Sequence, residues 1–208
     1  MVKRVGSNIL TSNHKSTFLS CAKDQETILK KLFVESRPYS DKLKKLLVIN
    51  TPDCLNREQT QYQLIIDKPE CSIKGLREHG YIKTTPRIDF FEHEEVKSYI
   101  LLEFDNFIPT SNPEYRDCNI IFSIICHLDC WELDDYGLRP WMIAGYIDGI
   151  LNNSRLSGIG TLQFTGASQL VLNENLGGVL LRYTATHGKD DDDKILEDYP
   201  AIEDLIST

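Results

Sequence analysis

One short stretch gathers residue types that bind metals: Cys126-His127-Leu128-Asp129-Cys130. Zinc sites pair cysteines a few residues apart and need further ligands elsewhere. The sequence holds no CxxC and no HxxxH. The stretch ends an apolar run, where strand alternation puts Cys126 and Cys130 on one face and His127 and Asp129 on the other. Two small apolar side chains packed in a core is the preferred reading. His93 sits among Glu92, Glu94 and Glu95, the makings of a carboxylate-rich cation site. A solvated turn between two strands accounts for the same residues. Glu132, Asp134 and Asp135 have the chemistry of an acid–base pair, but they precede Pro140 in a loop and read as capping acids.

Nucleophile and phosphate patterns are missing. No GxSxG elbow occurs. Gly158-Ile159-Gly160 lacks the third glycine or the lysine of a phosphate loop and reads as a connection from helix to strand. His187-Gly188 ends a strand beside an acidic tail and takes no further role. No catalytic, cofactor-binding or metal-binding residue is assigned, and the chain reads as non-enzymatic. The enzyme alternative is a metal-dependent hydrolase or nuclease using Glu92, Glu94, Glu95 or Asp129. It requires separated acids converging on one pocket, whereas the sequence gathers them in one turn.

Charge narrows the options further. The net charge is −8, and residues 189–208 hold eight acids against two lysines. The body is therefore nearly neutral, which argues against a surface that grips phosphates through counterion release. No apolar leader follows Met1 and no run approaches 18 apolar residues, so neither a secretory signal nor a membrane span is expected. The six cysteines then read as reduced, buried thiols in a chain made in the cytoplasm.

The elements that must position these residues follow from periodicity. Residues 1–20 read as a polar, extended arm and 21–85 as a helical and irregular region. Asp24 is placed as the cap of a helix to about Glu35, with Ile28, Leu29, Leu32 and Phe33 on one stripe. Ser40 is placed as the cap of a second segment carrying Leu43, Leu46 and Leu47, with a strand at Val48-Ile49 as the alternative. Residues 50–70 stay ambiguous, and Ser72 opens a short helix that Gly80 stops. A core over 86–188 has strands at 88–91, 96–107 and 118–128, the last the most apolar and a candidate for the middle of the sheet. Arg139-Pro140 opens a helix with Ile143, Ala144, Ile147, Ile150 and Leu151 buried. Strands at 160–172, broken at Gly166, and 179–187 complete it, joined by an Asn175-Leu176-Gly177-Gly178 turn that uses glycine's freedom at positive φ. This order gives an α+β fold, a mostly antiparallel sheet packed by one main helix. Lys189 to Lys194 matches the enteropeptidase recognition sequence. Beyond it, Ile195, Leu196, Tyr199, Ile202, Leu205 and Ile206 have the spacing of a short amphipathic docking helix.

Residues 88–188 resemble the tail-terminator, or tail-completion, proteins of tailed bacteriophages. The resemblance lies in YILLEFDNF, a Pro-containing loop, DCNIIFSIICHLDCW, the helix LRPWMIAGYIDGILNNSRL, and the closing TLQFTGASQLVLNENLGGVLLRYTATHG. It implies a virion subunit of the head-to-tail connection, a terminator or neck ring protein. That subunit would form a ring of six or twelve copies between portal and tail. Its neighbours would be portal or neck and tail proteins, DNA would pass through the lumen without sequence-specific binding, and no cofactor or membrane would be involved. The long N-terminal region and the acidic tail depart from the pattern. A different class of function is a non-enzymatic adaptor that docks a partner through the acidic tail.

Overall fold

The computed structural model describes residues 17–56, 60–84, 95–112, 115–134 and 136–187, with side chains described from residue 23 onward. Helix α1 (Thr17–Lys30) continues into a wider π-helical turn over Lys31–Glu35. Ile28, Leu29, Leu32 and Phe33 are all buried, as their spacing on one stripe requires. The helix begins upstream of Asp24, which is not its cap but a buried residue inside it. Of the expected N-terminal arm, residues 17–20 are helical, and 1–16 lie outside the described residues.

Helix α2 (Tyr39–Val48) buries Leu43, Leu46 and Leu47. Pro38 stands at its cap, while Ser40 is a buried residue within the first turn. Val48 stays helical. The ambiguous stretch resolves into α3 (Thr60–Ile66) and a 3-10 turn (Pro69–Cys71), which lead to α4 (Ile73–Glu78). Ser72 does cap α4, its Oγ accepting from the Gly75 N–H at 3.2 Å. Gly80, at φ 72°, ends the helix in the left-handed conformation that favours glycine.

The sheet has the order β1-β2-β3-β7-β6. Its strands are β1 (Ile82–Lys83), β2 (Ser98–Pro109), β3 (Arg116–His127), β6 (Gln163–Val171) and β7 (Leu176–His187). Every pairing is antiparallel except the short β1 with β2. The fold is α+β, and the most apolar strand, β3, lies in the middle. The strand expected at 88–91 falls outside the described residues. Between β3 and β6 come helix α5 (Arg139–Leu151) and a small hairpin of β4 (Arg155–Leu156) and β5 (Gly160–Thr161).

One core joins the helices to one face of the sheet. It takes Ile100 and Leu102 from β2, Ile120, Phe122 and Ile124 from β3, and Val179, Leu181 and Tyr183 from β7. Against them lie the predicted stripe of α5 (Ile143, Ala144, Ile147, Ile150, Leu151) and the apolar faces of α1 and α2. Each fully buried Leu or Ile contributes about 2 kcal/mol, so this contact dominates the folding energy. On the opposite face Tyr99, Ile125 and Leu176 form a second, smaller cluster with Leu170 against it. Covering both faces at that end explains why IIFSIIC reads as a continuous apolar run rather than an alternating one.

The β6–β7 turn corrects the sequence reading. Leu176, Gly177 and Gly178 belong to β7, and the positive-φ glycines of the described residues are Gly80, Gly158 and Gly160. The reversal is made by Asn173, whose side-chain oxygen accepts from the N–H groups of Asn175 and Leu176, both at 2.8 Å. Gly178 is needed for another reason: a Cβ there would overlap the carbonyl oxygen of Ile124. The break expected at Gly166 is a register shift between Phe164 and Gly166, a β-bulge. We predict opposite outcomes for two Gly-to-Ala changes. Gly149 lies on the exposed side of α5 with nothing near its Cβ position, so Gly149→Ala raises stability by about 1 kcal/mol. Gly178→Ala lowers it by about 2 kcal/mol or more. Urea unfolding of both variants decides this.

Candidate assembly surface

The cysteine-histidine stretch is core. Strand β3 stops at His127, and a 3-10 turn over Leu128–Cys130 returns the second cysteine inward. Cys126 and Cys130 are both buried. The Ser98 hydroxyl lies 3.6 Å from the Cys130 sulfur, which donates to the His127 carbonyl at 3.3 Å. Burial pushes the Cys126 thiol up to about 12, with the Ser98 hydroxyl acting the other way. A protonated thiol is a poor metal ligand. Asp129 points to solvent, and His127 Nδ1 accepts from the Asp129 N–H at 3.1 Å. Cys54, Cys71 and Cys118 are likewise buried free thiols.

Glu92, His93 and Glu94 lie outside the described residues, as does Asp135; Glu95 is exposed, 3.5 Å from the Lys97 ammonium. Glu132 pairs by its main chain with Leu138. Gly158 and Gly160 turn the β4–β5 hairpin, at φ 80° and 81°, and so link two strands rather than helix to strand. A Cβ on Gly160 would come within 2.8 Å of the Thr186 carbonyl oxygen, so glycine is required by both shape and space. Among the described residues, no group of three or more His, Cys, Asp or Glu side chains is placed to hold a metal ion.

Two buried polar residues were not legible in the sequence. Arg139, read there only as the start of a helix, is fully buried. Its Nε donates to the Cys130 carbonyl. Nη1 donates to Leu46 and Ile49 carbonyls at 2.7 Å each, and Nη2 to Asn50 and Thr51 carbonyls at 3.1 and 2.9 Å. All five guanidinium N–H donors are thereby used, two of them on Leu46 and Ile49 at the carbonyl end of α2, where the helix dipole favours a cation, and two on the residues just beyond it. His187 also has a role that the sequence reading denied it. It is fully buried, its Nδ1 3.0 Å from the Asp24 carboxylate and its ring in a three-ring cluster with Phe104 and Phe107. It fastens the last strand to α1. Tyr183, whose phenol donates to Asp148 at 2.9 Å, ties the same strand to α5.

What the molecule does expose is an edge. Strand β6 ends the sheet, and most of its side chains lie open to solvent on both faces. Between Arg155 and Glu174 the sequence has no charged residue and no proline. Edge strands are ordinarily guarded by lysine, proline or inward charges against pairing with another chain; among the described residues the guard at this edge is the bulge at Gly166. One outward group is covered, the Phe164 N–H donating to the Asn152 side chain at 3.3 Å. Exposed Phe164, Val171 and Leu172 line this edge. The missing charge was readable in the sequence; the edge position was not.

Fold and surface together define an α+β protein whose described residues seal one face of the sheet with helices and leave its β6 edge without a covering strand. The chain belongs to the YomW family, whose sequence model matches residues 40–185, and this family is phage-associated. No match was found among curated proteins. A solved chain described as "Virion of native gene transfer agent (GTA) particle" is 14% identical, with 62% of this chain and 90% of that chain covered and a TM-score of 0.38, a likeness too slight to carry an argument. No described helix is long and apolar enough to cross a membrane.

Two predictions follow from the buried groups. Arg139→Lys keeps the charge but loses the planar fork, leaving several carbonyls unpaired; urea unfolding is expected to show a loss of about 3–5 kcal/mol. For Cys126, the folded thiol keeps a proton that an unfolded one releases near pH 8.5. Its contribution is complete below that pH and is lost as pH rises toward about 12. Stability measured across this window falls with pH, and falls less steeply in Cys126→Ala.

Proposed function

We propose that this chain is a structural subunit of a phage virion, a ring protein of the head-to-tail connection in the position of a tail terminator or neck component. The observation that carries the proposal is the unguarded β6 edge in a member of a phage-associated family. A row of free main-chain donors and acceptors is a template for strand addition from another chain. In a cellular monomer such an edge is an aggregation hazard; in a subunit it is an assembly surface.

Charge distribution supports a head-to-tail contact between copies. Residues 17–84 carry twelve Lys and Arg against nine acids, whereas residues 95–187 carry five against eleven. A ring requires two different, complementary patches on each copy, and opposite charge on the helical and sheet halves selects that orientation over a two-fold one. The acidic excess of the sheet half also suits a lumen through which DNA slides without being gripped.

Light scattering with negative-stain imaging of the purified chain tests this reading, with rings of six or twelve copies expected. The double variant Gln169→Lys/Val171→Lys places two cations on exposed positions of β6. It is expected to yield monomers that melt as the parent subunit does. A strict monomer from the unaltered chain, or rings that survive both lysines, contradicts the assignment.

A further inference from the structure

A closed ring needs a second, different patch on each copy to receive β6. The sheet has another edge that suits it. Strand β1 pairs with β2 at Ile100 and Leu101; among the described residues, the stretch of β2 from 102 to 109 has no strand on that side. Exposed Ile108 lies on it. Strand direction fits as well. β2 and β7 run one way and β3 and β6 the other, every neighbouring pair among them being antiparallel. A next copy that continues the sheet therefore meets β6 with its β2 antiparallel, the more stable of the two ladders.

Charge sets the level at which the two edges meet. On the face of the sheet away from the helices, Glu103, Ile121, Arg182 and Gly166 form one row across β2, β3, β7 and β6. The exposed Arg182 guanidinium leans over β6, its Nη1 donating to the Ser168 hydroxyl at 3.3 Å. That partner carries no charge. Toward β2 of the same chain, Ile121 stands in the row between Arg182 and Glu103. Toward the edge, Gly166 leaves the row open, with nothing near its Cβ position. On β2, Glu103 and Asp105 fall on this same face beside the open edge, Asp105 exposed. Asp117 of β3 shares the face, but it accepts from the Thr186 hydroxyl at 2.6 Å.

We propose that β6 of one copy adds to residues 102–109 of β2 in the next. Ser168 then stands opposite Glu103 and Gly166 opposite Asp105, with Arg182 reaching across β6 to both acids. Opposed residues share a face in an antiparallel ladder, and this register keeps all of them on the helix-free face. The span fits: Arg182 and the acids are two strand spacings apart, about 10 Å, which an arginine and a carboxylate bridge over a glycine. Setting β6 against β6 would instead bring arginines together on that face, a like-charge contact. The pairing names the receiving surface of the ring proposed above, and it rests on that reading.

Charge exchange in the full chain, read by light scattering, tests it. Arg182→Glu alone, and Glu103→Arg with Asp105→Arg, are each expected to cut the ring fraction about tenfold while melting as the parent does. Combining all three substitutions restores rings, which a folding defect could not do. The chain with Glu103→Arg/Asp105→Arg keeps β6, and the chain with Gln169→Lys/Val171→Lys keeps β2. Their mixture is expected to give heterodimers and nothing larger. Rings that persist in the separate variants, a combined variant that stays monomeric, or homodimers of the β2 variant overturn this pairing and leave ring formation itself standing. A parent chain that stays monomeric, with no heterodimer in the mixture, overturns both.

Discussion

A single buried guanidinium joins the parts of this molecule that sequence keeps far apart. Arg139 begins α5, yet its hydrogen bonds run to the end of α2 and to the turn after β3. A desolvated cation is tolerated only where every donor is matched, so the three segments must meet in one arrangement. That arrangement puts the stripe of α5 flat against β3 and β7. It also sets the position from which the β4–β5 hairpin and then β6 depart. The open edge lies where it does because the helix before it is pinned at its first residue.

A second fastening works at the far end of the sheet. His187 against Asp24 and Tyr183 against Asp148 hold β7 to both α1 and α5. Strand β7 is therefore fixed on its helical face along its length, and β6 pairs with its outer side. The resulting division is clear: β3 and β7 are internal and anchored, while β6 is supported from one side only. Stability is concentrated away from the exposed β6 edge, so a neighbour joined there, as proposed, need not disturb the core.

Local pattern carried much of this into the sequence. The stripe of α5, the buried run of β3 and the cap and stop of α4 depend on residues within a few positions of one another, and all were legible. What was not legible depends on partners far away. Nothing near Arg139 shows that four of its five acceptors lie about ninety positions earlier, and nothing near His187 points to Asp24. Asp24 and Ser40 look like caps because both residue types favour that position; tertiary burial placed them inside their helices instead. Gly177-Gly178 was misread for a related reason. Paired glycines suggest a positive-φ turn, but here they admit the main chain of β3 and the ring of Trp131 at close range. Of the assembly surface, the charge-free run was visible in the sequence, whereas its place at the edge needed the strand order.

The central claim is that copies of this chain join along β6. Amide hydrogen exchange, resolved to residues 163–171 and compared between the free chain and the assembled particle, tests it most directly. The account predicts rapid exchange at outward-facing β6 amides in the free chain and strong protection on assembly, with β3 and β7 protected in both states. Equal exchange of β6 in the two states, with new protection appearing only elsewhere, contradicts it.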